Sequence, residues 1–207
     1  MACLALPATA AELVLNGGFE AGNTGLSSTY FFGGKDPGPF TAGTDNQGTY
    51  FLTGNAGSIC GCLSNPPATG NIMVLDGAGS GLGAWSETIK VVANSNYIFS
   101  FQGAQVGDGS PATIEASING MVVGTDFTPT HSAFSTFTYS FNSGAATSLM
   151  FSLKDLNTVH YYNDFALDNV SLSGPVPIVG TVPEPAALAL FSVGGVALAA
   201  LRRRNAV

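Results

Sequence analysis

The side chains able to do chemistry in this 207-residue chain are few and scattered. Two histidines, His131 and His160, one tryptophan and three cysteines stand against thirteen acidic residues. Neither histidine lies in an H-E-x-x-H pattern or in a setting from which a catalytic triad can be read. The glycine-rich stretch Gly77–Gly83, GAGSGLG, has no serine at the centre of G-x-S-x-G and misses the G-x-G-x-x-G spacing of a dinucleotide turn. Paired acidic catalysis needs two carboxylates that meet in space, which spacing alone does not show. Cys60 and Cys62, in SICGCL, make a C-x-C pair without a second ligand pair at zinc spacing, so they read as loop cysteines, disulfide-bonded or not. The expectation is a protein that is not an enzyme.

Recognition of sugars is the chemistry these residues suit better. It needs an aromatic plane to meet the apolar face of a sugar ring and polar groups to bond its hydroxyls. Trp85 is one candidate, although it begins a strand, where core packing competes with ligand stacking. Tyr30, Phe31 and Tyr50, in a loop-rich region, and Tyr161 and Tyr162, beside His160, are the others.

The elements that must position these residues are strands. Only 9% of residues are charged, 45% are apolar, and 27 are glycine. That is too apolar for a disordered chain and suits short strands joined by tight turns. Before residue 182 three lysines face twelve acidic residues, a net charge of −9. So acidic a body repels phosphate backbones, which excludes nucleic acid as the expected partner.

Both ends carry addresses. Residues 1–11, MACLALPATAA, are small and apolar and contain the A-x-A pattern Ala8-Thr9-Ala10, which reads as the remnant of a signal peptide. Near the other end, residues 186–201 form an uncharged run. As a helix it spans ~24 Å at ~1.5 Å per residue, slightly less than a ~30 Å hydrocarbon core. Arg202, Arg203 and Arg204 follow it and would hold that end on the cytoplasmic side of a membrane.

Val182-Pro183-Glu184-Pro185, the apolar helix and the arginine cluster together resemble the PEP-CTERM sorting tail of Gram-negative bacteria, also catalogued as the C-terminal domain of ice-binding proteins. The resemblance covers residues 182–207 and implies export, transient anchoring in the inner membrane and processing by an exosortase. The alternative for the same residues is a simple membrane anchor with prolines as a stiff spacer. Residues 174–181, GPVPIVGT, suit a linker.

Residues 12–173 break into short alternating runs. Tyr97, Phe99 and Phe101 share one strand face, with Ile98, Ser100 and Gln102 on the other. Phe137, Tyr139 and Phe141 repeat this pattern, as do Leu149, Phe151 and Leu153. Asn119-Gly120 marks a two-residue hairpin between runs 112–118 and 121–125. Residues 22–70 read as long loops with little strand. The expected fold is all-β, a single jelly-roll sandwich of about 8–10 strands.

Leu13–Glu20 (LVLNGGFE) resembles the opening strand of galactose-binding-like jelly rolls, a group that includes many carbohydrate-binding modules. Asn71–Asp76, Trp85–Val92 and Tyr97–Gln102 resemble its central strands, and Phe165–Leu172 (FALDNVSL) its closing one. Several members hold a structural calcium where first and last strands meet, and the resemblance puts Glu20 and Asp168 there as its carboxylates. The expected function is binding of exopolysaccharide or cell-surface glycan by an exported surface or matrix protein. A purely structural or adhesive matrix component is the competing reading, and a glycoside hydrolase or lyase the third.

Overall fold

The computed structural model describes residues 10–35, 47–54, 70–79, 81–106, 109–131, 133–159 and 163–177. The cysteine pair, Tyr161, Tyr162, the signal remnant before Ala10 and the sorting tail lie outside these residues. Twelve strands and no helix occur among those described.

The period-2 runs fold as their alternation dictates. β1 (Ala10–Glu12), β2 (Phe31–Lys35), β3 (Thr49–Thr53), β4 (Ile72–Asp76), β6 (Asn96–Gln105), β9 (Thr130–His131), β10 (Ser135–Asn142) and β12 (Phe165–Pro175) make one sheet. Its main order is β10-β6-β12-β4-β3-β2, with β1 beside β12 and β9 beside β6. The second sheet runs β5 (Gly83–Lys90), β11 (Ser148–Asp155), β7 (Ile114–Ile118), β8 (Met121–Val122). β7 and β8 are joined by Asn119-Gly120, whose φ angles of 50° and 75° are those a two-residue hairpin needs.

The two sheets close on an aromatic core. Tyr97, Phe99 and Phe101 of β6 point inward and meet Trp85, Phe151 and Leu153 of the second sheet. Phe99 stacks on Trp85 with centroids 6.3 Å apart and lies 5.1 Å from Phe151; Phe101 stacks on Phe137 at 4.9 Å. Rings this close and offset add to the burial that holds a two-sheet sandwich together.

Three segments differ from the sequence expectation. Leu13–Glu20 is not a strand: after β1 the chain turns, with Phe19 at φ 58° and the Phe19 N–H donating to Asn16 O at 3.0 Å. The pairing partner of β12 is instead β1, in register from Ala10↔Pro175 to Glu12↔Ser173, so the paired body reaches beyond 12–173 at both ends. Residues 22–70 contain β2 and β3, a parallel pair at the sheet edge. β3 is buried on both faces from Tyr50 to Thr53, so it lacks the alternation by which half-buried strands are recognised.

Candidate functional site

Because β6 and β10 alternate, the first sheet turns its polar positions outward. Register pairs Thr136 with Gln102 and Thr138 with Ser100, and on the other side Asp168 with Gln102 and Ser171 with Ser100. Paired residues of an antiparallel ladder point to the same face, so hydroxyls and amides form an outward band across three strands. Above this band lies an open groove of about 500 Å³, walled on one side by the segment from Glu12 to Glu20.

A bulge in β12 shapes this groove. Pairing with β6 slips between Asp168 and Ser171, and Asn169 at φ 50° carries the extra turn. The Val170 N–H freed by the slip donates to Gly17 O at 2.9 Å, which fastens the 13–20 segment to the bulge. Glu12 supports the same junction: Oε1 accepts the N–H groups of Leu13, Val14 and Leu172, and Oε2 accepts the Ser171 hydroxyl. Gln102 Oε1 accepts Asn169 Nδ2 at 2.9 Å. Leu15, 89% exposed, supplies an apolar plate at the groove wall.

Glu20 and Asp168, named from sequence, are brought together here. Asp168 Oδ1 and Glu20 Cγ both lie about 4 Å from the point where a Gly18 side chain would begin, while the Glu20 carboxylate reaches on over Gly70. Glu20 Oε1 accepts the Asn71 N–H at 2.8 Å, and Asp168 Oδ1 accepts that of Asn169 at 2.7 Å. Burial pushes the Asp168 carboxyl up to about 6; the Asn169 N–H opposes this and the Glu20 charge adds to it. Among the described residues no three His, Cys, Asp or Glu side chains form a metal-binding group.

The aromatic candidates are placed differently. Trp85 is 1% exposed in the core, so it offers no plane to a ligand. Tyr30 is buried edge-on to Phe165, at 6.4 Å. Tyr50 is buried beside Phe32, with its hydroxyl donating to Asn23 Oδ1. These three face inward because a large ring gains more from burial against the opposite sheet than the polar residues that alternate with it, whereas Phe31, at the start of β2, is 75% exposed. The residues that do line the groove, Ser100, Gln102, Thr136, Asn169 and Ser171, carry only the alternation as a sequence signal. Alternation marks an outer face without saying which part of it is concave.

A second set of carboxylates is perturbed in the same direction. At one end of the sandwich Asp76 is pushed up to about 7 by burial and by the neighbouring Asp164 charge. Burial also raises Asp164 and Asp155, each to about 6. Tyr30 is raised above its ordinary value by burial, then by the charges of Asp155, Asp76 and Asp164.

Residues 181–204 match the family model described as the PEP-CTERM protein-sorting motif. The chain carries a PEP-CTERM sorting motif. Val182, Pro183, Glu184, Pro185 and Arg202, Arg203 and Arg204 all fall within that match. A PEP-CTERM tail marks a protein for export, and among the described residues no helix is long and apolar enough to cross a membrane. No curated protein matches the sequence.

Among solved structures, the body is similar to the CBM22-1 xylan-binding domain from Paenibacillus barcinonensis Xyn10C. Identity is 16%, the match covers 82% of this chain and 99% of that one, and the TM-score is 0.52. It is also similar to the Stig cyclase Fisc from Fischerella sp. TAU, at 16% identity, 82% and 100% coverage and a TM-score of 0.54. The enzymatically active domain of tailspike protein 4 from bacteriophage CBA120 gives 14% identity, 79% and 21% coverage and a TM-score of 0.50. These likenesses show the fold, a sandwich of the carbohydrate-binding-module kind, on which binding modules and enzymes are both built.

Proposed function

We propose that this PEP-CTERM protein is an exported, non-catalytic glycan-binding protein, whose outer groove receives a segment of bacterial exopolysaccharide or cell-surface glycan. The observation that carries the reading is the groove itself: a concave band of hydroxyls and amides with an apolar rim. Sugar hydroxyls both donate and accept, so Ser100, Gln102, Thr136, Asn169 and Ser171 suit them, while Leu15 suits the apolar face of a ring. No aromatic platform is needed for this mode, which reads the pattern of hydroxyls. After export an exosortase would release the chain from its tail.

The same reading places calcium between Glu20 and Asp168. Both are oxygen donors, the Glu20 charge is felt at Asp168, and among the described residues Asp168 is buried with Asn169 as its hydrogen-bond partner, which leaves its lone pairs room for a hard cation. The ion would fix the 13–20 segment against β12 and so hold the groove wall.

The test is binding of the purified chain to a panel of bacterial polysaccharides, with calcium and with chelator. Saturable binding to one class is expected, with Gln102→Ala weakening it about tenfold, since a lost hydrogen bond of about 1.4 kcal/mol has that effect. Asp168→Asn is expected to abolish the calcium dependence. Absence of saturable binding to every polysaccharide would overturn the glycan reading in favour of a purely structural matrix role.

A further inference from the structure

The carboxylates at the sandwich end are not accounted for by the groove. Asp76 closes β4, Asp155 closes β11, and Asn163 and Asp164 lead into β12, so three loops converge on one buried spot. All four residues are 3% exposed or less.

Their hydrogen bonds sort them into two roles. Asp155 is fully engaged: Oδ1 accepts the N–H groups of Thr113 and Asn157 at 3.1 and 3.0 Å, and Oδ2 accepts Asn163 Nδ2 at 3.1 Å. Asn163 Nδ2 also donates to Asn157 O at 3.1 Å, which fixes which way the amide points. Its oxygen must then face the opposite side, towards Gly77, where a side chain would begin only 1.3 Å from Oδ1. Asp164 Oδ1 accepts the Gly77 N–H at 3.0 Å, so its other oxygen is on offer at the same place.

What remains among the described residues are four buried oxygens that no other donor of the protein reaches: Asp76 Oδ2, Asp164 Oδ2, Asn163 Oδ1 and the Tyr30 hydroxyl. The Asp76 and Asp164 carboxyls stand close enough to hydrogen-bond each other, which they do only while one of them holds a proton. Leaving one buried polar atom unpaired costs about 1–3 kcal/mol, more when it is charged, so once both acids are ionised these oxygens call for a guest. Three of the four can only accept when both acids are ionised, and two then carry charge. A water molecule brings two protons and no charge; a cation satisfies all of them at once.

We propose that Asp76 Oδ2, Asp164 Oδ2 and Asn163 Oδ1 ligate a calcium ion, at a site separate from the Glu20–Asp168 pair. The donors are all oxygen, which favours calcium or magnesium over zinc or copper. Burial favours calcium, because magnesium gives up its waters reluctantly and demands strict octahedral geometry. Two carboxylates and one amide leave the remaining positions to carbonyls or water, with the Tyr30 hydroxyl beside them. The ion ties the loop after β4 to the loop before β12, across the end of the sandwich. Asp164, just before β12, and Asp168 within it lie four residues apart along an extended chain, about 13 Å at ~3.3 Å per residue, too far to share an ion.

The deciding experiment counts calcium bound to the full chain by elemental mass spectrometry after exhaustive dialysis at fixed free calcium. Wild type, Asp76→Asn/Asp164→Asn and Glu20→Gln/Asp168→Asn are compared. The first variant is expected to hold one calcium ion fewer than wild type whatever the second variant and the polysaccharide panel show. An unchanged count in Asp76→Asn/Asp164→Asn would overturn the site and leave a carboxyl pair sharing a proton or a water. Should that variant not fold, wild-type crystals soaked in terbium decide. Anomalous density between Asp76 and Asp164 supports the site, and density confined elsewhere refutes it.

Discussion

Two adjacent glycines, Gly17 and Gly18, should respond oppositely to the same added methyl group. A side chain at Gly17 would begin 1.6 Å from the carbonyl oxygen of Val170, a backbone atom fixed by the β12 bulge. Gly17→Ala therefore has to push the 13–20 segment off the bulge. Overpacking of this kind costs about 1–3 kcal/mol, and losing the Val170 N–H to Gly17 O bond adds about 1 kcal/mol, for a total of roughly 2–4 kcal/mol. In a protein of this size each kcal/mol moves Tm by about 2–4 °C, so the midpoint should fall by roughly 4–16 °C. At Gly18 the nearest atom stands 3.9 Å away, an ordinary contact, and its φ is not in the left-handed region. Gly18→Ala should leave Tm unchanged or raise it slightly, by restricting the unfolded chain at a cost of under ~1 kcal/mol to that state. Thermal melts of both variants by circular dichroism read this directly. Polysaccharide binding below the midpoint should weaken in Gly17→Ala, because the displaced segment is the groove wall. Identical melts for the two variants would refute the packing of this segment on β12, and with it the account of the groove.

Other consequences can be checked separately. Trp85→Ala should cost about 3–5 kcal/mol of stability while leaving binding by the folded protein intact; loss of binding with stability unchanged would return Trp85 to the ligand. Glu87 is raised above its ordinary pKa by burial and then by the Glu12 charge. A carboxyl raised in the folded state contributes stability at acid pH that is lost as pH rises through its folded pKa. Glu87→Gln should therefore raise Tm more at neutral than at acid pH, and an equal gain at both would exclude the burial as cause. In a host with exosortase, the intact mass of the mature protein should lack Arg202–Arg204; a mass that retains them would rule out processing.

What the sequence made legible follows from periodicity. Phe99, Phe101, Phe137 and Phe151 could be assigned inward because apolar residues recur at every second position, and they form the core. The hairpin at Asn119-Gly120 was legible for a stereochemical reason, since those residue types tolerate the φ angles the turn requires. β3 was not legible, because burial on both faces removes alternation. Nor was the turn at Leu13–Glu20: LVL looks like a strand, and the Leu13 N–H still donates to Leu172 O, but the Val14 N–H goes to the Glu12 carboxylate and the chain leaves the sheet there. The nearness of Glu20 and Asp168 was reachable through a resemblance of the segments that carry them. The aromatic platform was not, because no local feature of Trp85, Tyr30 or Tyr50 says which face of its element looks inward. The Asp76–Asn163–Asp164 cluster was beyond reach for a different reason. It joins residues 87 positions apart, and nothing near either one signals the other.

β12 shows how one strand can serve separate sites. Its outward positions run Ala166, Asp168, then past the bulge to Ser171 and Ser173, and Asp164 directly precedes it. Ala166 pairs with Ala104 and Val74, and with Phe51 and Ile72 these form a small buried apolar cluster on the outer face of the sheet. Ala166, a member of that cluster, stands between the two acidic positions. Each carboxylate group therefore meets its own environment: loops at the sandwich end for Asp164, the groove wall for Asp168. If both hold calcium, the losses from Asp76→Asn/Asp164→Asn and from Glu20→Gln/Asp168→Asn should add, because no partner is shared across the apolar cluster. Non-additive losses would mean that the ions communicate along β12, and the apolar cluster would then act as a coupling element between the end of the sandwich and the glycan groove.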